Sequence, residues 1–253
     1  MISISQFNVF CLAWIGVAII LFPILFRVTQ PYGMHTRSGW GPMVSNKLAW
    51  FLMELPALAV FLFFALKTHK VVHIIWLIPI ALWSLHYVHR SLIYPLRIKT
   101  KGKKMPALIM IFGIFFNAVN GFLNGYWLDS YAANQPVTDF DNVRIAIGVS
   151  VFLAGFIMNK YHDHLLIKLR KKATNGYKIP YDGLFRYISC PNYLGEIITW
   201  LGFFIVCFNL PALSFLVWTM VNLIPRASDH HKWYKGHFEE YPKERMAIFP
   251  YVY

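Results

Sequence analysis

Two carboxylates stand inside stretches of sequence that otherwise carry only apolar side chains. Glu54 is the single charge in the nineteen residues 48–66, LAWFLMELPALAVFLFFAL, and Glu196 follows Pro191 and Asn192 into a second apolar run. An ionisable group at the centre of a membrane helix costs about 2.5–3.5 kcal/mol on insertion scales, so such groups turn toward partners or a wet cavity. Other polar residues keep helical register with one another. In HYVHR, His86 and Arg90 are four apart and Tyr87 and Arg90 three apart, so one face presents a phenol with a guanidinium. Snorkelling of Arg90 from a helix end is the structural alternative. Asn159 and Asp163 are four apart; Arg170 follows seven later, then Lys171 and Lys172. Acceptors near a helix end followed by cations suit a ribose followed by phosphates, although an ordinary solvated basic loop has the same composition. Asn192 and Glu196 repeat the four-residue spacing, and Arg226, His230 and Tyr234 form a row with His231 beside it. Asn117, Asn120 and Asn124 make an amide stripe flanked by Gly121 and Gly125; packing between helices accounts for it better than a ligand does. Taken alone, these residues point to a membrane enzyme that uses a soluble anionic cofactor, or to a proton-coupled transporter.

Composition sets the elements that must position these groups. Of 253 residues, 57% are hydrophobic and only 14% charged, against about 25% charged in soluble domains. Apolar runs of roughly 20 residues mark membrane spans. Seven are read, at 5–26, 48–66, 71–94, 106–130, 143–161, 193–208 and 211–224, the last two separated by a tight turn at Asn209 and Leu210. The expected fold is all-α: a polytopic integral membrane protein with seven transmembrane helices in one bundle, and a single domain over 1–253. Nineteen of the 24 Lys and Arg fall in the connections 27–47, 95–105, 162–192 and 225–253, and two in 67–70. That bias places the N-terminus outside and the C-terminus in the cytoplasm. It also explains the net charge of +13 as topology and headgroup contact rather than nucleic-acid binding. Three cysteines at 11, 190 and 207 have no metal-ligand spacing, so no metal site is expected. No G-x-G-x-x-G follows a strand pattern, which excludes a Rossmann site. Any dinucleotide must be held by helix faces, and a retained first helix and a monomer are expected.

Six stretches together resemble one family: AWFLMELP, LHYVHR, NGFLNGYWL, MNKYHDHLLIKLRK, GYKIPYDGLFRYISCPNYLGEIITWLGF and the closing PRASDHHKWYKGHFEEYPKERMAIFPYVY. They look like steroid 5α-reductase over about residues 32–253. The resemblance implies a seven-helix membrane enzyme that binds NADPH deep in the bundle and reduces the double bond of a 3-oxo-Δ4-steroid. It implies that Glu54 and Tyr87 hold the substrate ketone. Cofactor contacts map onto Arg90, Asn159, Asp163, Arg170, Tyr177, Lys178, Asn192, Glu196, Arg226, His230 and Tyr234. Lys103 is the cofactor contact placed on the lengthened loop after Tyr94. Trp50, one turn before Glu54, and Met53 belong to the substrate side. Lys178 stands where the family commonly has arginine, which keeps charge but loses bidentate phosphate geometry. Met53 stands where the family often has glutamine, and this bears on substrate identity.

The chemistry implied is conjugate reduction. Hydride addition to an enone builds negative charge on the carbonyl oxygen, and a donor aimed there lowers the barrier more than it aids ground-state binding. Tyr87 is the expected donor; Glu54 orients it or, if protonated, donates itself. Three alternatives stand beside this reading: a reductase of another lipid enone of enoyl-CoA or polyprenal type, an S-adenosylmethionine-dependent lipid methyltransferase, and a non-enzymatic proton-coupled transporter.

Overall fold

The computed structural model describes residues 2–68, 74–132, 138–172 and 177–252. Eight helices carry the architecture: α1 (Ile4–Arg27), α2 (Asn46–Ala65), α3 (Leu77–Tyr87), α4 (Tyr94–Arg97), α5 (Ala107–Ser130), α6 (Asp139–Lys172), α7 (Pro191–Cys207) and α8 (Leu210–His237). Five of them, α1, α2, α5, α6 and α8, are long and apolar enough to cross a membrane. Their outward faces are apolar, with Phe10, Ile20, Phe63, Phe115 and Ile157 all more than half exposed. A surface of that kind suits lipid rather than water. Among the described residues the protein is an all-helical membrane protein apart from one small β element and an isolated bridge between Ile188 and Met246.

That β element was not expected. Met43–Ser45 (β1) pairs antiparallel with Lys104–Pro106 (β2), Val44 opposite Met105. Three-residue strands are too short to show a two-residue period. Their effect is to tie together the residues just before α2 and just before α5, the two helices that pack along each other.

Three spans differ from the reading by apolarity. The third begins at 71–94 in the sequence; residues 71–73 lie outside the described ones, and the helix runs past Tyr94 to Arg97 through a π-helical segment, Val88–Ile93. α6 extends from 143–161 to Asp139–Lys172, about 50 Å at 1.5 Å per residue. α8 passes through Pro225 to His237 rather than stopping at Ile224. Hydropathy marks where lipid ends, whereas a helix whose charged turns still meet protein continues. The turn between α7 and α8 is tight as expected. Phe208 takes a left-handed conformation, and the Asn209 side chain caps α8 by accepting from the Ala212 amide at 2.9 Å.

Two close helix pairs position the polar residues. Along α6 and α7 the backbones touch where glycine faces backbone. A Cβ on Gly195 would lie 2.5 Å from the Asn159 nitrogen, and one on Gly202 would run into the Phe152 backbone. Small residues at such contacts let helices approach closely. Between α2 and α5, Gly113 leaves room for Met53, and Gly121 and Gly125 lie against the Ala57–Ala65 part of α2. At the centre, Trp83 stacks on Phe61 and meets Trp200, Phe203 and Phe215. Its indole N–H donates to the Ala57 carbonyl at 2.8 Å.

The glycine contact is directly testable. Gly202→Val forces a branched side chain onto the α6 backbone, and overpacking of this kind costs roughly 1–3 kcal/mol or more. The expected result is a lower Tm and reduced monodisperse yield in detergent. Gly16→Val, on an open face of α1, should leave both unchanged.

Candidate functional site

The first half of the site forms where α2, α5 and the π segment meet. Glu54 is 7% exposed. Its Oε1 accepts from Arg90 Nε at 3.1 Å, and its Oε2 accepts from Asn117 Nδ2 at 3.4 Å. Asn117 also donates to the Met53 carbonyl at 2.6 Å, which locks the amide to α2. A π segment has one more residue per hydrogen-bonded turn than an α-helix and recurs at functional sites. Arg90 sits in it, and instead of snorkelling from a helix end its guanidinium lies between Glu54, the Trp50 ring (4.7 Å) and the Tyr94 ring (5.3 Å). Tyr87, at the end of α3, is buried against Trp83 and Trp200 beside this pair. Its hydroxyl makes no hydrogen bond to Glu54. Trp50 is part of the wall, edge-on to Tyr32 and Tyr94. Met53 turns the other way, into the α2–α5 contact with Ala49, Met105 and Gly113.

The second half comes from α6 and α7, held in register by the glycine contact. Asn159 Nδ2 donates to the Asn192 carbonyl at 2.7 Å and to Glu196 Oε2 at 3.4 Å. Asn192 Nδ2 donates to Asp163 Oδ1 at 2.9 Å. The two i,i+4 pairs thus form one four-residue network. Asn159 Oδ1 and Asp163 Oδ2 are buried acceptors with no protein partner, and buried polar groups of that kind call for a ligand or water. His86, 1% exposed, joins the halves. Its Nε2 lies 4.0 Å from Glu196 Oε1 and its ring packs on Tyr87 and Trp200.

Toward the cationic end, Lys103 Nζ donates to the Tyr177 hydroxyl at 2.8 Å, and the Arg170 guanidinium lies 5.3 Å from the same ring. These three expected residues converge, with Trp233 against Tyr177. Lys178 is exposed beside them. Lys172 has no described side chain.

The row on α8 meets the segment after α1. Arg226 donates to the carbonyls of Gln30 (2.7 Å) and Tyr32 (2.6 Å) and covers the Tyr32 ring at 3.8 Å, while its Nε is buried and unpartnered. His230 bonds Tyr193 on one ring nitrogen and His35 on the other, each at 3.1 Å. Burial first, then the charges of Arg226 and Arg37, push His35 down to about 4, so it is neutral at pH 7. Tyr234 stacks on Tyr241 at 5.4 Å.

The sequence alone did not single out Asn117 as a ligand of Glu54, because its place in the 117/120/124 stripe reads as packing. Asn120 and Asn124 do act that way, each donating to a carbonyl one turn back. His86 was visible only as a helix neighbour of Arg90. His35 and the carbonyls of Gln30 and Tyr32 gave no signal, since their partners lie almost 200 residues away.

The Glu54–Arg90 pair should behave as a coupled unit. Removing one partner of a buried pair leaves an uncompensated charge and costs roughly 3–5 kcal/mol. Arg90→Met is therefore expected to be strongly destabilising in denaturant unfolding, and Glu54→Gln with Arg90→Met to recover much of the loss. A double variant whose loss equals the sum of the Arg90→Met and Glu54→Gln losses would show that the two are uncoupled.

An interior cluster of two carboxylates, a phenol and a guanidinium suits polarisation of a substrate oxygen next to a bound anionic cofactor. Comparison with known proteins supplies the family. Residues 103–253 match the family described as 3-oxo-5-alpha-steroid 4-dehydrogenase. The chain is 39% identical over 238 residues to the steroid 5-alpha-reductase DET2 of Arabidopsis thaliana, covering 91% of this chain and 90% of that one. It is 36% identical over 247 residues to human 3-oxo-5-alpha-steroid 4-dehydrogenase 2, covering 96% of each. It is 35% identical over 243 residues to 3-oxo-5-alpha-steroid 4-dehydrogenase 1 of Bos taurus, covering 94% of this chain and 93% of that one. The chain belongs to the steroid 5-alpha-reductase family and is an oxidoreductase acting on CH–CH groups.

Proposed function

We propose that the protein reduces the Δ4 double bond of a 3-oxo-steroid with NADPH, the ketone being held by Glu54 and Tyr87. The observation that carries this reading is the junction of two polar clusters in one interior site: Glu54 with Arg90 and Asn117, and Glu196 with Asn159, bridged by His86. The second cluster fits a nicotinamide dinucleotide. Asn159 Oδ1 and Asp163 Oδ2 are buried acceptors without partners, suited to amide or ribose hydrogens, and Arg226 Nε is a buried donor without one, suited to a phosphate oxygen. Asn192 and Glu196 fix Asn159 and Asp163. Arg170, Tyr177, Lys103 and Lys178 gather at the cationic end, where a 2′-phosphate would favour NADPH over NADH. When bound, NADPH supplies a hydride for the β-carbon, C5.

The chain's own residues handle the oxygen. Tyr87 donates a hydrogen bond to the ketone, where negative charge grows as the hydride adds. Both Glu54 oxygens accept hydrogen bonds, from Arg90 and Asn117, which leaves the donor role to Tyr87 and gives Glu54 the role of holding those two donors at the ketone end of the site. The aromatic shell of Trp50, Trp83 and Trp200 keeps water away from the reacting carbons. Met53, packed on Gly113, acts on the substrate side through the setting of α2.

The topology follows the same reading. The continuous helix Leu77–Arg97 and the 17-residue α7 complete seven spans with the five long helices. The basic connections lie on the cytoplasmic side, with the N-terminus outside. The protein works as a monomer, with steroid entering from the lipid.

Tyr87→Phe is expected to lower steroid-dependent NADPH oxidation by about 10²–10³, the usual cost of an oxyanion donor, and Glu54→Gln to lower it by loosening Arg90 and Asn117 at the ketone end, with NADPH binding retained in both. Near-normal turnover in both would overturn the assignment. Asp163→Ala and Arg170→Ala should instead weaken NADPH affinity roughly tenfold, the loss of one charge-assisted hydrogen bond. A panel of progesterone-like, testosterone-like, enoyl-CoA and polyprenal enones identifies the substrate class.

A further inference from the structure

A second recess lies at the cationic end, on a face of α6 about a quarter turn from Asn159 and Asp163. It has a volume of about 510 Å³ and is lined by Leu96, Arg97, Lys99, His164, Ile167, Lys168 and Lys171. Four of these seven residues are cations and none is a carboxylate. Arg97 donates to His164 Nδ1 at 3.0 Å and to His89 Nε2 at 3.4 Å. A guanidinium has no acceptor, so both imidazoles accept through these nitrogens; among the described residues no carboxylate pairs with Arg97. With Nε2 accepting, His89 carries its proton on Nδ1, which is buried and has no partner. Lys160, one turn before His164 on the same face, likewise has its Nζ buried without an acceptor, over the Phe156 ring that His89 also meets. Arg97, Lys99, Lys168 and Lys171 thus leave the lining with donors and positive charge in surplus.

The surroundings specify the kind of anion. Leu92, Ile93 and Leu96, on the turns leading into the recess, are 41%, 42% and 80% exposed. Both helices leave their apolar runs here, so the recess sits at the edge of the lipid-facing surface. Basic pockets between membrane helices at that level bind anionic headgroups. We propose that the recess binds the phosphate of an acidic membrane phospholipid, its acyl chains lying along Leu92, Ile93 and Leu96. Arg97 and Lys168, from opposite walls, bracket the phosphate; Lys99 and Lys171 complete the rim. This site is separate from the one that holds the cofactor.

The test compares the intact protein with Arg97→Gln/Lys168→Gln in nanodiscs of phosphatidylcholine alone or mixed with phosphatidylglycerol. Lipid retention is read by native mass spectrometry, thermal stability alongside it. The wild type should retain phosphatidylglycerol over phosphatidylcholine and gain stability from it. The double variant should bind phosphatidylglycerol roughly 30-fold more weakly, from the contribution of two cations near the headgroup, with NADPH affinity unchanged. If the double variant does not fold, Lys168→Gln, at an exposed position, should lose roughly fivefold. Equal retention by wild type and variant, or no preference for the anionic lipid, would overturn the proposal. So would equal protection by inorganic phosphate in neutral discs, which assigns the recess to a soluble anion. A fall in NADPH affinity with lipid retention unchanged would give it to the cofactor site instead.

Discussion

The contact of α6 with α7, backbone to backbone, is the constraint on which the rest of the site depends. Gly155, Gly195 and Gly202 have no side chain to hold the helices apart, and the space a Cβ would need is filled by the opposite main chain. Lipid offers no hydrophobic drive for helices to associate, so close van der Waals contact and interhelical hydrogen bonds must supply it. Gly195 packs on the nitrogen of Asn159, itself a member of the polar network. The contact that joins the helices therefore also sets the distance from Asn159 and Asp163 to Asn192 and Glu196. A helix pair one side chain further apart would leave the buried Asn159 and Asp163 without their α7 partners Asn192 and Glu196.

The other half of the site solves a charge problem. Glu54 is placed in a lipid-like helix, and the fold brings it two donors, Arg90 from the π segment and Asn117 from α5. An isolated buried carboxylate is untenable in an apolar interior, whereas a paired and hydrogen-bonded one is tolerated. The pairing also fixes the carboxylate beside Tyr87 and puts the Arg90 charge between Trp50 and Tyr94. Under the proposed function, stability and chemistry would draw on the same contacts.

The segment between α1 and α2 closes the cationic end. Arg226 takes the carbonyls of Gln30 and Tyr32, and His230 takes His35. These are long-range contacts onto irregular backbone, which is tolerated at a membrane end when protein partners satisfy its polar groups. Residues expected to face a cofactor are thus partly engaged with this segment, while Arg226 Nε remains open. The same end carries the basic recess beside Arg97. Cationic side chains there lie on two surfaces of α6: Arg170 beside Tyr177, and Lys168 and Lys171 in the recess.

Apolar run length was enough to establish a helical membrane protein. Four-residue spacings correctly grouped Asn159 with Asp163 and Asn192 with Glu196, because an α-helix puts such residues on one face whatever surrounds it. The same local rule could not tell which faces meet. It missed that Asn117 leaves its stripe to bind Glu54, and that Arg90 turns inward through a π segment. It gave no hint that Met53 packs on Gly113, that β1 pairs with β2, or that His35 reaches His230. Those facts depend on contacts between residues tens to hundreds of positions apart, which no periodicity encodes. Residue types and helical register were determined by the sequence itself. Which carboxylate meets which donor was decided only when close-packed helices brought distant faces together, since an electrostatic partner is defined by distance in space and not by distance along the chain.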